Sequence, residues 1–502
     1  MPELKIPSPV GLSQRDRLSF LLKDSVLYGG AAAISKAFAL ITFPLLARHF
    51  SVEAYGILDY FMVLASFLAI LFIFGQDSAV ARYFYEHEDT ADRCQLISQS
   101  LVFQLAGLTL ILPLLWWGVE WISKVLIDAE GSVRFFKIVI FQLPFLLLIN
   151  FSQNLLKWTY ARAKFLVMSL GFTLVQASLL VMAVLLLDVG IRGVLLVSLF
   201  TSIVFGLLGL LFIRRWLSYP RNFRRLYEML PYAIPFGVIC VLAALSPALE
   251  RTLTDKLLGA EDLGLYAAGT KIAMLIGLAV SAFQTAWGPF SLSLHKQDDA
   301  IKTYNLVLKL FVIVTCLMVF TLTLMAQPLI HFLASDRYIG AEVVVFPLAM
   351  GLAIQATSWI TEIGISISKR SYLNLYAYTF AIVSTLAGIM LLAPLLGLLG
   401  VSLGVMIGYA VKAISSSWLA QRAYPLFWQY SSVIVVLGLT LFFGLLAEWL
   451  GLYWGTIVHD MVLILGIIAV IAVGWSVLLN PSERQGLIAL SRSRLASLII
   501  RN

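Results

Sequence analysis

Residues 48–58 read RHFSVEAYGIL, and residues 256–266 read KLLGAEDLGLY. Arg48 aligns with Lys256, Glu53 with Glu261 and Gly56 with Gly264, the two glycines standing 208 positions apart. Each segment closes one apolar run and precedes the next. The offset recurs elsewhere: Gln76 falls on Gln284 at 208, while Gly190-x-x-Gly193-Val194 falls on Gly397-x-x-Gly400-Val401 and Arg162 on Lys369 at 207. Matches in one register over so much of the chain indicate a duplicated unit rather than chance.

The runs around these segments are long enough to cross a bilayer, which takes about 20 apolar residues per helix. They lie near residues 24–47, 57–76, 95–117, 134–155, 166–187 and 192–213, then 231–254, 264–287, 304–326, 342–366, 372–395 and 398–419, with a last pair near 430–450 and 457–479. Of 502 residues, 61% are hydrophobic and 12% charged, and the mean hydropathy is +0.94. Soluble domains are far more charged. The expected fold is therefore all-α and polytopic, with about 14 spans. Each duplicated unit holds six, an even number, so both copies enter the membrane in the same orientation, related by a pseudo-twofold axis along its normal. This divides the chain into an N-terminal six-helix bundle (1–225), a second bundle (226–425), an extra helix pair (426–480) and a basic amphipathic tail (481–502). Two like bundles facing a central cavity form a transporter architecture.

The sequence carries 35 Lys and Arg against 27 Asp and Glu, a formal charge of +8. With the N-terminus in the cytoplasm, about 24 of the basic residues fall on that side, about 8 opposite and about 3 within spans, which is the positive-inside bias. Both termini are then cytoplasmic, and the excess charge implies no nucleic-acid partner. Cys94, Cys240 and Cys316 lie far apart and read as packing residues. There is no HExxH motif and the five histidines are scattered, so an enzyme is not expected. No GxxxxGK[ST] loop is present, which argues against direct ATP drive.

Leu46-Ala47-Arg48 followed by Glu53-Ala54-Tyr55-Gly56, and then Gly75-x-Asp77-x-x-x-x-Arg82-Tyr83-Phe84, resemble the first two spans of the Wzx-type polysaccharide flippases. These belong to the multidrug/oligosaccharidyl-lipid/polysaccharide (MOP) exporter superfamily. Glu250-Arg251, Gly264-Leu265-Tyr266, Lys271 and Ala286-Trp287-Gly288-Pro289-Phe290 resemble spans seven and eight of the same family. The resemblance implies a flippase moving undecaprenyl-diphosphate-linked oligosaccharide across a bacterial inner membrane for O-antigen or exopolysaccharide synthesis. Polysaccharide polymerase and export proteins would be its partners besides the lipid-linked sugar and membrane lipid. No bound cofactor is implied, and proton or Na+ coupling stays open. A lipid II flippase and a MATE-type drug/cation antiporter are the alternatives.

Lys36, Lys271 and Lys412 are the ionisable residues well inside the expected spans, and a charge there should face a wet cavity or a partner. Deep lysines without a deep acid would attract a diphosphate head group. Arg48 and Arg251, near the outer ends of spans one and seven, and Arg82, at the inner end of span two, are further candidate cargo contacts. Asp77 is expected to pair with Arg82, Glu250 with a neighbouring cation, and Glu362 with Lys369 or Arg370. Gly29 and Gly30 loosen span one and Pro235 and Pro247 interrupt span seven, so both helices are candidate hinges. Trp116, Trp117, Trp121, Trp449 and Trp454 read as an aromatic belt at the outer surface.

The basic-residue asymmetry generates a topology that reporter fusions check. Fusions after Arg225 and at both termini should report the cytoplasm, and fusions within Ser335–Tyr338 and Gly451–Trp454 the periplasm. A periplasmic signal after Arg225 would mean an odd number of spans in the first half and would undo the repeat.

Overall fold

The computed structural model describes residues 30–485, except 32–33, 36–37, 39–40, 88, 128, 295–296, 298–299, 369, 371 and 482. The first expected span and the amphipathic tail fall largely outside the described residues, although residues 41–49 form a helix as far as His49. The main helices that follow are α1 (Val52–Ile73), α2 (Gln76–Glu86), α3 (Thr90–Trp117), α4 (Ser132–Trp158), α5 (Phe172–Leu187), α6 (Ile191–Ile213) and α7 (Arg224–Leu258). Next come α8 (Ala260–Leu294), α9 (Ala300–Leu324), α10 (Val345–Thr361), α11 (Leu373–Leu396), α12 (Leu398–Ala423), α13 (Tyr430–Trp454) and α14 (Thr456–Val473). No strand occurs among the described residues. Thirteen helical stretches among them are long and apolar enough to cross a membrane, and these correspond to expected spans two to fourteen.

Local chemistry explains the boundaries. Ser51 caps α1, its hydroxyl accepting the Ala54 amide at 3.2 Å, with Glu53 in the first turn. Asp89 caps α3 by accepting the Ala91 amide at 3.1 Å. The second span, expected as one piece, is broken: Phe74 (φ 43°) and Gly75 (φ 70°) are left-handed, and the chain restarts as α2. By contrast α7 runs for 35 residues through Pro231, Pro235 and Pro247 without interruption. Such prolines are tolerated in membrane helices because neighbouring groups satisfy the freed carbonyls.

The chain packs as two compact units, Met1–Ala268 with Leu333–Tyr338, and Gly269–Phe332 with Ile339–Asn502. In the first, α4 lies along α6 and α1 along α7. The α4–α6 seam carries a polar bridge in which the Gln142 amide donates to Ser198 (2.8 Å) and Ser202 (3.0 Å). Such bonds hold helices together where lipid supplies no hydrophobic drive. Between α1 and α8 the repeat-related glycines meet. A Cβ on Gly264 would sit 2.0 Å from the Val52 carbonyl oxygen, and one on Gly56 would sit 2.5 Å from the Gly264 nitrogen.

In the second unit α11 and α12 form the closest pair, with Gly388 and Gly404 backbone to backbone. The pair α13–α14, which has no counterpart in the repeat, packs on α9 and α10 around Cys316, Phe320, Phe346 and Leu463. Cys94 and Cys316 are buried, Cys240 is half-buried, and all three are free thiols.

The glycine contact predicts that Gly264→Ala is costly despite the small change. The added methyl cannot be accommodated by rotating a side chain, because its neighbour is backbone. Forced overpacking of this kind costs about 1–3 kcal/mol, so the variant should show a lower melting temperature in detergent. Gly277→Ala, whose Cβ meets nothing within 4 Å, should melt like the parent. Equal melting of the three proteins by fluorescence-detected size exclusion would contradict the close approach.

Candidate functional site

The first unit concentrates its buried charge where α1, α7 and α8 meet. On α1, Tyr55, Gly56, Asp59 and Tyr60 are buried; on α7, Pro247 and Arg251 lie one turn apart, at the i, i+4 spacing that shares a helix face. Arg251 Nε donates to Asp59 Oδ2 at 2.8 Å, and its Nη1 donates to the Pro247 carbonyl at 3.1 Å. The two side chains are 4% and 2% exposed. Tyr60 and Thr252 share a hydroxyl–hydroxyl bond of 3.0 Å across the same seam.

Glu250, also buried, accepts from Ser246 (2.9 Å) and from the Tyr266 hydroxyl (2.9 Å). The Arg251 guanidinium lies 5.8 Å from the Tyr266 ring centre. Tyr338 meets Tyr55 edge-on at 6.0 Å, and burial pushes its hydroxyl pKa up, which keeps the phenol protonated. A buried ion pair offsets its desolvation only with further hydrogen bonds, and the Pro247 carbonyl accepts one from Arg251.

The same seam closes further along at the break in span two. Cβ atoms on Gly75 and Gly237 would lie 2.5 Å from the Gly237 nitrogen and the Phe74 carbonyl oxygen respectively, so backbone rests on backbone two residues from Pro235. Gly75 has positive φ, a conformation glycine adopts without Cβ strain. Arg82 is half exposed, 4.8 Å above the Tyr232 ring and 3.5 Å from Glu86. Asp77, expected to pair with Arg82, instead accepts the Ser78 amide at 2.8 Å.

In the second unit Lys412 is 1% exposed. It donates to Ser358 Oγ (2.9 Å) and Glu362 Oε2 (3.0 Å) and lies 5.4 Å from the Tyr378 ring centre. Glu362 therefore partners Lys412 rather than Arg370, and Lys369 lies outside the described residues. Lys309 is fully buried in α9 and meets both Glu483 carboxylate oxygens at 3.1 Å. Lys271 is half-buried in α8 and engaged by a neighbour.

Of the other residues singled out, Arg48 is exposed at the end of its helix and also engaged. Gly30 has open space around it, and Pro235 and Pro247 sit inside a continuous α7. Lys36 and Gly29 lie outside the described residues. The expectation of deep lysines without deep acids needs correction, since Asp59, Glu250, Glu362 and Glu483 all reach buried partners. Asp59 lies deeper than hydropathy indicates because α1 starts at Val52 rather than at 57, which carries it two turns into the helix. No cluster of three or more His, Cys, Asp or Glu that could hold a metal occurs among the described residues.

A family described as "Polysaccharide biosynthesis protein" matches residues 21–295. A protein of the Lsg locus of Haemophilus influenzae is 25% identical over 285 residues, covering 56% of this chain and 68% of the relative. Among solved structures, the lipid II flippase MurJ in an inward closed conformation superposes with a TM-score of 0.69 at 16% identity, covering 90% of this chain and 98% of that one. An inward-facing multidrug resistance MATE family transporter of the MOP superfamily gives 0.61 at 14% identity, covering 77% and 94%. At these identities the solved structures establish the fold alone, all-α and polytopic.

The Asp59–Arg251 pair predicts a strong asymmetry between breaking and replacing it. Arg251→Ala should destabilise by about 3–5 kcal/mol because it leaves a buried carboxylate without its counter-charge, whereas Asp59→Asn with Arg251→Met should recover most of that loss. Thermal unfolding of the parent, Asp59→Asn, Arg251→Met and the double variant gives the coupling. Additive losses would show that the two groups do not depend on each other.

Proposed function

The chain belongs to the polysaccharide biosynthesis protein family, and on that premise we propose that it is a flippase for undecaprenyl-diphosphate-linked oligosaccharide. It carries the repeat unit from the cytoplasmic to the periplasmic leaflet of a bacterial inner membrane, both termini being cytoplasmic, for O-antigen or exopolysaccharide assembly. Polysaccharide polymerase and export proteins act downstream. The observation that carries this reading is the dry ionic seam between α1 and α7 in a polytopic chain of this family. Asp59 and Arg251 match each other only while the two helices touch. When the helices part, each must find water or a new counter-charge, because an unpaired charge in an apolar interior is strongly disfavoured.

A diphosphate supplies the counter-charge that Asp59 supplies in the closed state. The guanidinium of Arg251 can grip it through two parallel N–H donors, which a lysine cannot do. Lys36, Arg48, Arg82, Lys271 and Lys412 complete the set of cargo contacts. Lys412 reaches the cargo by leaving Glu362. Gly29, Gly30, Pro235 and Pro247 supply the bending in spans one and seven, and the bundles 1–225 and 226–425 move as the two halves of an alternating-access cycle. Chemistry at the sugar is not required for this task.

Deletion of the gene should cause lipid-diphosphate-linked repeat units to accumulate on the cytoplasmic side, detected by mass spectrometry of extracted lipid-linked sugars. Accumulation of lipid II instead would make peptidoglycan precursor the cargo, and unchanged lipid-linked sugars with drug sensitivity would make the chain an exporter of cations. In the complemented strain, Lys36→Glu and Lys271→Glu should lower surface polysaccharide more than the matching Ala variants, because they add repulsion to lost attraction. Normal output from both Glu variants at native protein level would remove these lysines from the cargo path.

A further inference from the structure

Arg251, Lys309 and Lys412 have carboxylate partners, yet three cations on the surface behave differently. Arg134 and Lys137, in the first turns of α4, and Arg192, in the first turn of α6, line one cavity of about 400 Å³ together with Ile138, Phe141 and Leu196. No ion pair of these three cations occurs among the described residues, and Lys137 Nζ lies 5.1 Å from the Trp116 ring centre. Their order along the helices is informative. Residues 134, 137, 138 and 141 follow the i, i+3, i+4, i+7 stripe of a single α4 face, and 192 and 196 follow i, i+4 on α6. On both helices the cations come first and the apolar side chains lie deeper in the span. The step from Arg134 to Phe141 is about 10 Å at 1.5 Å per residue.

Phe141, Leu196 and Trp116 are exposed although they belong to apolar spanning helices, which is the signature of a lipid-facing wall. Trp117, beside them, is 88% exposed. The two helix N-termini also direct partial positive charge toward the same end. We propose that this cavity is a binding site for the head group of an anionic phospholipid, the phosphate held by Arg134, Lys137 and Arg192 and one acyl chain lying over Phe141 and Leu196. The lipid belongs to the leaflet in which α4 and α6 begin, the outer leaflet in the topology read from the sequence. Cations without carboxylates select for negative charge, and an apolar wall continuous with them selects for an attached chain over a soluble anion. The site is peripheral to the α1–α7 seam and does not depend on the cargo assignment.

The test is native mass spectrometry of the full-length protein, delipidated in detergent and then titrated with dioleoyl-phosphatidylglycerol or dioleoyl-phosphatidylcholine. The parent should retain at least one phosphatidylglycerol with a clear preference over phosphatidylcholine. Each cation changed to Ala should lower that occupancy about fivefold, the value of one basic residue near an anionic lipid surface, and Lys137→Arg should keep it. Melting curves of the variants accompany the titration, and the parent's preference between the two lipids is a test in its own right if a variant fails to fold. Equal retention of the two lipids by the parent, or an unchanged preference in the folded triple Ala variant, would overturn the proposal. So would displacement of the lipid by equimolar inorganic phosphate, which would make this a soluble-anion site, or by an undecaprenyl-diphosphate lipid, which would make it a cargo site.

Discussion

A charge inside an apolar span must be matched, and the Asp59–Arg251 pair shows how strictly this chain obeys that constraint. The two groups are 2.8 Å apart with almost no exposed surface, and Arg251 Nη1 donates a further bond to the Pro247 carbonyl. Lys412 with Glu362 and Lys309 with Glu483 repeat the solution elsewhere. Because one member of each pair comes from a different helix or segment, charge matching also decides which elements stay together. In lipid, where burial of apolar side chains does not discriminate one helix neighbour from another, such pairs and close backbone packing carry the specificity.

The close approach of α1 to α7 and α8 serves the same constraint. Gly56 against Gly264, and Gly75 against Gly237, remove side chains where two backbones must touch. Main-chain atoms of the facing helices then meet at van der Waals distance, and the polar groups between them stay dry. The consequence for motion is discrete. A seam of touching backbones and ion pairs cannot loosen gradually, since partial separation would strand Asp59 and Arg251 before water reached them. Such an interface is either closed or open, the property a transporter needs if its pathway is not to leak.

A division of labour among cations emerges from the structure. Those within the helices, Arg251, Lys412 and Lys309, are held by carboxylates, while Arg134, Lys137 and Arg192 at the periphery are without one among the described residues. Interior pairing offsets the cost of holding those charges away from water.

The periodic alternation of apolar runs and polar breaks was enough to establish the class of fold, because a hydrocarbon layer admits only helices or closed barrels. Thirteen of the expected spans were recovered among the described residues with small shifts at their ends. The repeat made Gly56 and Gly264 equivalent positions, but that their backbones meet came only from the packed helices. Partner choice was beyond the reach of one-dimensional reading. Asp59 and Arg251 are 192 positions apart, and Lys309 and Glu483 are 174, so no local spacing rule relates them. The break at Phe74–Gly75 was likewise hidden inside an apolar run. Hydropathy records how far a residue type prefers lipid to water; which acid neutralises which base depends on distances that only the packed helices create.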